Sequence, residues 1–197
     1  MTKIVLASRS ASRQALLRGA GISFDARPAD IDEKLVKRRE LAAGKTPAEI
    51  ALILAEEKAL ACDAAPDELV IGGDQIMEYE GAIYDKPASL EEAADRLFMM
   101  AGQTHFLRAG LVLAQAGRII WRHMDSSALE MRPAERGEIE AYLNTVGERV
   151  LATVGAYELE GEGVRLFKRI EGDYFTILGL PLMPLLAEFR ARKVLPW

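Results

Sequence analysis

Lys3-Ile4-Val5-Leu6-Ala7-Ser8-Arg9-Ser10-Ala11-Ser12-Arg13 runs from an apolar tetrad into three hydroxyls and two guanidiniums, and Gln14-Ala15-Leu16-Leu17 then opens a helical pattern. Ile4 to Ala7 suits a short buried strand, and the adjacent leucines suit a helix face turned toward a core. The turn between them would offer free backbone N–H groups and the positive end of the helix dipole to an anion. Ser8, Ser10 and Ser12 add hydroxyl donors at alternate positions, and Arg13 adds a planar fork able to hold two phosphate oxygens. A serine N-cap followed by a solvated arginine produces the same letters. The turn therefore gains meaning only from what accompanies it.

Strand and helix patterns alternate through the first half of the chain, which predicts an α/β layered fold. Phe24 to Pro28 is an extended segment leading to Asp30-Ile31-Asp32-Glu33, and Lys34 to Lys45 reads as a loop or exposed helix. Thr46-Pro47-Ala48-Glu49 combines a capping-box spacing with proline at the first helical position, so a helix should run from Pro47 to about Cys62 and carry Lys58. Leu69-Val70-Ile71-Gly72-Gly73 is a short apolar strand ending at Asp74-Gln75. If it lies parallel to the first strand, Asp74 and Ser8 emerge at the same carboxyl edge, where α/β proteins place ligands.

Ile76 to Tyr84 reads as a hairpin turning at Glu80-Gly81, followed by Asp85-Lys86-Pro87. Ser89-Leu90-Glu91-Glu92 opens a helix through Met100 with Leu97 and Phe98 facing inward. Thr104 to Ala114 and Arg118 to Met131 are long strands around Gly117, a helix follows Arg132-Pro133-Ala134-Glu135, and Val164 to Ile170 reads as a last strand. Gly179-Leu180-Pro181-Leu182 leads into the final helix. No repeat, low-complexity tract or linker divides the chain.

Half of the 197 residues are hydrophobic and 28% are charged, enough for one well-cored domain spanning 1–197. The net charge of −5 argues against a nucleic-acid surface, which needs a basic face. A single cysteine, Cys62, and two histidines, His105 and His123, leave no Cys/His metal signature. No leader pattern and no membrane-length apolar run is present, so the expected location is cytoplasmic, away from membranes.

Three features converge on phosphate chemistry. The serine and arginine turn can hold phosphate, the carboxylates of Glu33 and Asp74 can bind a hard divalent ion, and Lys58 and Lys86 can neutralise phosphate charge. Together they suit metal-assisted hydrolysis of a phosphate ester or anhydride.

The Ser8-Arg9-Ser10-Ala11-Ser12-Arg13 turn is joined in order by Asp32-Glu33, Glu57-Lys58-Ala59, Gly73-Asp74-Gln75, Lys86-Pro87 and Gly102-Gln103-Thr104-His105. Gly155-Ala156-Tyr157, Glu160-Gly161 and Ile170-Glu171-Gly172-Asp173-Tyr174 with Gly179-Leu180-Pro181-Leu182 complete the set. In order and spacing this resembles the Maf family over essentially the whole chain. The resemblance implies a nucleoside triphosphate pyrophosphatase that cuts between the α and β phosphates, using Mg2+ or Mn2+. It also implies an elongated mixed sheet with flanking helices, two lobes around a nucleotide-binding cleft, and a homodimer. By position, Ser8, Ser10 and Arg13 would hold phosphate and Lys58 and Lys86 would contact the triphosphate. Glu33 and Asp74 would be the catalytic and metal-binding carboxylates, with Asp74 as general base.

Departures from the family pattern bear on substrate. Ala11 and Ser12 stand where many members have proline and a further arginine. Gln75 and Glu160 stand where members acting on pyrimidine nucleotides have threonine and glutamine, and Ala152-Thr153 replaces an aspartate-lysine pair. Gln75 and Glu160 resemble instead the subgroup associated with 7-methyl-GTP, although that subgroup has a large aromatic at Ser12. A carboxylate can accept from guanine N1–H and its amine and favours a cationic methylated ring. Ser12, Gln75 and Glu160 are therefore the expected specificity positions. Two alternatives remain at this level: a nucleotide-binding regulator of cell division and septum formation, and a house-cleaning pyrophosphatase of the inosine and xanthosine class.

Overall fold

The structure is a computed structural model describing residues 2–195. In chain order it contains β1 (Ile4–Leu6), α1 (Ala11–Gly19), β2 (Asp25–Ala26), α2 (Glu33–Ala42), α3 (Pro47–Leu60), β3 (Leu69–Tyr79) and β4 (Ala82–Tyr84). Then follow α4 (Leu90–Met100), β5 (Thr104–Gln115), β6 (Arg118–Met131), α5 (Arg136–Val146), β7 (Phe167–Glu171), α6 (Tyr174–Ile177) and α7 (Leu182–Ala191). Hydrogen bonding orders the strands β2-β1-β3-β5-β6-β7, with β4 on β3. β1 is parallel to β2 and β3, whereas β4 and β7 run antiparallel to their neighbours β3 and β6. The result is the mixed, helix-flanked α/β sheet that the alternating patterns predict. Among the described residues no helix is long and apolar enough to cross a membrane.

The chain forms two compact units: one of residues up to Gln75, Arg108–Ser126 and from Asp173, the other of Ile76–Leu107 and Ser127–Gly172. In the first, strand alternation sorts the core into two faces. Ile4, Leu6, Leu69, Ile71, Leu111 and Leu113 point one way and pack with Leu17 of α1 and Leu182, Leu185 and Phe189 of α7. Val5, Ala7, Val70, Val112 and Ala114 point the other way, onto Ala55 and Ala59 of α3.

The second face is built of small residues for a reason. A Cβ on Gly72 would land on the Ala55 carbonyl and Ala59, and one on Gly110 would sit 2.5 Å from the Ala51 carbonyl. The absence of side chains at these two sheet positions lets α3 lie directly on β3 and β5. Residues 51, 55, 58 and 59 form one stripe of that helix. Thr46 and Glu49 close the capping box that starts it, and Pro47 occupies its first turn.

The second unit holds the β3–β4 hairpin, which turns at Glu80-Gly81 as the sequence predicts, and α4 in contact with α5. His105 is fully buried there, with Nε2 2.7 Å from the Tyr157 hydroxyl. Burial pushes its pKa down to about 4, so it serves as a neutral core residue.

Three sequence expectations need correction. β3 does not stop at Gly73 but continues to Tyr79, because Asp74 and Gln75 find buried partners and the strand carries on through them. Phe98 is 46% exposed while Leu97 is fully buried, since the helix turns about 100° per residue and only one of two neighbours can face the core. The expected strand over Val164–Ile170 begins only at Phe167, after a 3-10 turn over Glu162–Leu166. Of the two readings of Lys34 to Lys45, loop or exposed helix, the helix holds through Ala42 as α2, with Asp32 accepting from the Leu35 N–H at 2.9 Å.

Gly72→Ala should destabilise the fold by about 1–3 kcal/mol, the cost of forcing a methyl into a packed helix–sheet contact. The fall in the urea midpoint measures it, and an unchanged midpoint would show that α3 can move away from β3.

Candidate active site

Parallel pairing of β1 with β3 puts Leu6 opposite Ile71, and the Ala7 N–H donates to the Ile71 carbonyl at 2.9 Å. Ser8 therefore leaves β1 alongside the part of β3 that carries Gly73 and Asp74. Ser10 caps α1 by accepting from the Arg13 N–H at 3.4 Å, while the Ser10 and Ser12 hydroxyls lie 2.9 Å apart. The Ser10 N–H donates to Ser8 Oγ at 3.2 Å. The predicted serine turn thus exists as one hydrogen-bonded loop at the positive end of a helix.

Arg13 is buried and points back under this loop. Its Nε donates to the Gly179 carbonyl at 2.7 Å and one terminal nitrogen donates to Ser8 Oγ at 3.1 Å. Burial lowers its pKa, while Asp74 and Glu33 push it back up. The guanidinium stays charged, and its second terminal nitrogen remains available to an anion.

Alternation along β3 turns Val70, Gly72 and Asp74 toward α3, and the helix stripe meets Asp74 with Lys58. Lys58 Nζ lies 2.5 Å from Asp74 Oδ1 and 2.8 Å from Glu33 Oε1. Asp74 is 5% exposed, and its second oxygen, Oδ2, is buried without a hydrogen-bond partner. Burial opposes the charge on Glu33, but Lys58 outweighs it by charge and hydrogen bond, helped by Lys37 and Arg13, and holds its carboxyl below the usual range.

An orphaned buried carboxylate oxygen is costly unless something binds it. Among the described residues no group of three or more His, Cys, Asp or Glu side chains could hold a metal by itself. Two carboxylates bridged by one lysine fit a smaller demand: a hard divalent ion that completes its shell with water and substrate phosphate.

The first unit thus brings together Ser8, Ser10, Ser12, Arg13, Glu33, Lys58 and Asp74. Lys58, expected on the triphosphate, directs two of its three N–H donors to the carboxylates of Glu33 and Asp74. Gln75 turns to the opposite face of β3, where its amide nitrogen donates to the Thr176 and Ile177 carbonyls at 2.8 and 3.2 Å. Only its oxygen stays free for a ligand. Lys86 and Glu160 belong to the second unit, and both are exposed. Sequence reasoning missed the Gly179 carbonyl and the α6 segment as supports of the site. The Asp173-Tyr174 and Gly179-Leu180 motifs were their only trace.

A family model described as Maf-like protein matches residues 3–192. The chain belongs to the Maf-like family. It is 47% identical over 190 residues to a 7-methyl-GTP pyrophosphatase of Rhizobium meliloti, covering 95% of this chain and 94% of that protein. It is 47% identical over 194 residues to a nucleoside triphosphate pyrophosphatase of Hyphomonas neptunium, covering 98% of each. A nucleoside triphosphate pyrophosphatase of Caulobacter vibrioides is 45% identical over 195 residues, 99% of this chain and 98% of its own. Full-length similarity to members of the Maf-like family gives the Lys58-bridged carboxylates a functional context.

Lys58→Met should cost about 3 kcal/mol, because it strands a buried carboxylate without its partner. Adding Asp74→Asn in the same chain should recover part of that loss. Urea unfolding of both variants at neutral pH measures the difference, and equal midpoints would mean that Lys58 does not hold Asp74.

Proposed function

We propose that this protein is a nucleoside triphosphate pyrophosphatase, one domain over 1–197, that hydrolyses the α–β phosphoanhydride to a nucleoside monophosphate and pyrophosphate. One observation carries the reading: Asp74, held by Lys58 at one oxygen and free at the other, stands beside a serine and arginine turn at a helix N-terminus. Relatives of nearly equal length that bear this activity in their names support it.

The serine hydroxyls, the α1 N-terminus and Arg13 bind phosphate oxygens. Lys58 fixes the Asp74 carboxylate in one orientation, so that its free oxygen is the acceptor in the site. Water attacks the α phosphorus, its proton passes to Asp74, and the bond to the bridging oxygen breaks with departure of pyrophosphate. Positive charge from Arg13 stabilises the charge that gathers on the leaving group. Glu33 and Asp74 are the residues that would hold a divalent cation such as Mg2+ or Mn2+, which supplies Lewis-acid neutralisation of phosphate charge when bound.

The preferred base is a guanine, with 7-methyl-GTP the favoured candidate. Gln75 keeps only an acceptor free, which suits the donor edge of guanine better than a pyrimidine. The named Rhizobium relative supports this choice.

Asp74→Asn should abolish pyrophosphate release while sparing nucleotide binding, since it removes basicity at nearly constant volume. Nucleotide-dependent thermal stabilisation of the unaltered protein without any pyrophosphate release would overturn the enzyme reading in favour of a regulator. Gln75→Thr combined with Glu160→Gln should shift relative kcat/KM toward pyrimidine triphosphates. An unmoved ratio between 7-methyl-GTP and UTP would remove these positions from base selection.

A further inference from the structure

Residues 173–179 carry little secondary structure, yet two site residues of the same unit are seated on their backbone. Within them α6 is a single turn, too short to hold itself. The Gln75 amide donates to the Thr176 and Ile177 carbonyls, and Arg13 Nε donates to the Gly179 carbonyl. Gly179 stands between the two: a Cβ placed there would lie 3.7 Å from the Arg13 guanidinium and 3.8 Å from Gln75 Oε1. Its φ of 96° lies where glycine is favoured, so the chain turns sharply at the point where it meets both side chains.

A buried hydroxyl holds this strap in place. Thr176 is fully buried, and its Oγ1 donates to Asp125 Oδ2 of β6 at 2.7 Å. Asp125 Oδ1 accepts from the Ser126 N–H at 2.8 Å, so the carboxylate is held at both oxygens. Asp173 accepts from the Thr176 N–H at 3.0 Å and caps the turn. The Thr176 carbonyl takes the Gly179 N–H at 2.9 Å as well as the Gln75 amide. One residue thus joins the sheet through its side chain, and the strap and Gln75 through its main chain. Filling the space at 176 needs only apolar atoms; the hydroxyl adds a charge-assisted bond that fixes where the carbonyls point.

We propose that Thr176 and Asp125 are positioning residues that set phosphate affinity and base preference together, by latching to the sheet the strap on which Arg13 and Gln75 are both seated. The proposal rests on the reading of this chain as a triphosphate pyrophosphatase and of Gln75 as a base-selecting residue. Neither Thr176 nor Asp125 touches the nucleotide; both act through the carbonyls of 176, 177 and 179. With the latch closed, Arg13 and Gln75 are ordered before substrate arrives, which favours binding.

The test uses Thr176→Val, Thr176→Ser, Asp125→Ala and Gln75→Thr in the full chain, well below their melting temperatures. It measures the Kd of inorganic tripolyphosphate with Mg2+, which reads phosphate binding without a base, and relative kcat/KM for 7-methyl-GTP and UTP. Thr176→Val and Asp125→Ala should each weaken tripolyphosphate binding about tenfold and move the kcat/KM ratio toward UTP, as Gln75→Thr does. Thr176→Ser, which keeps the hydroxyl, should restore both. Asp125 is only half-buried, so its truncation reads the latch even if Thr176→Val fails to fold. A lower melting temperature with unchanged Kd and unchanged ratio would make the pair merely structural and overturn the proposal. Movement of one readout without the other would overturn it too, since Arg13 and Gln75 would then be seated independently. A ratio that stays put in Gln75→Thr as well would show that the base assignment of Gln75 has failed, and the proposal falls with it. Failure of the enzyme reading is seen separately, as no turnover of either nucleotide by the unaltered protein.

Discussion

The ion pair between Lys58 and Asp74 is the constraint around which the first unit is arranged. A lysine can reach a carboxylate in the middle of a buried strand only if its helix lies almost on the sheet. Gly72 and Gly110 remove the two side chains that would hold α3 away, and Ala51, Ala55 and Ala59 keep the helix side equally thin. Bulky packing on the opposite face, with Leu17, Leu182, Leu185 and Phe189, supplies apolar burial that the thin face cannot. One face of the sheet serves stability and the other serves proximity.

That arrangement also balances charge. Arg13 and Lys58 stand against Glu33 and Asp74, so the site is close to neutral before any nucleotide arrives. A triphosphate adds several negative charges to a place with little spare positive charge. On the function proposed above, a cation arriving with the substrate and held by Glu33 and Asp74 would offset that charge. A protein of net charge −5 thereby handles a polyanion through local chemistry, not through its overall field.

Local signals were legible in the sequence, and tertiary ones were not. Thr46-Pro47-Ala48-Glu49, Ser89 with Glu92, and the glycine turns at Gly81 and Gly117 announce their elements because the physics that makes them acts within four residues. The length of β3 escaped notice because Asp74 and Gln75 read as the polar end of a strand. They are tolerated inside it only through Lys58 and through the Thr176 and Ile177 carbonyls, far away in sequence. Lys58 itself looks like any surface lysine on a helix, since α3 is apolar on nearly every side and does not declare which face it buries. The sequence offers it as a cation for phosphate, the family resemblance repeats that role, and only the fold supplies its carboxylate partners. Phe98 and Leu97 show the same limit at smaller scale, where adjacent apolar residues give no hint of which is covered.

The bond from Arg13 to the Gly179 carbonyl spans 166 positions of the chain. Gln75 reaches the same late segment, and the unit that contains the phosphate turn draws on three separated stretches of sequence. A ribosome releasing this chain from its N-terminus emits Ser8, Lys58 and Asp74 long before Gly179. The nascent protein therefore carries most of its polar site without the strap that seats Arg13, and that seat forms only after Gly179 has been made. Long-range closure of this kind slows folding, but it also makes the seating of Arg13 depend on a segment far along the chain.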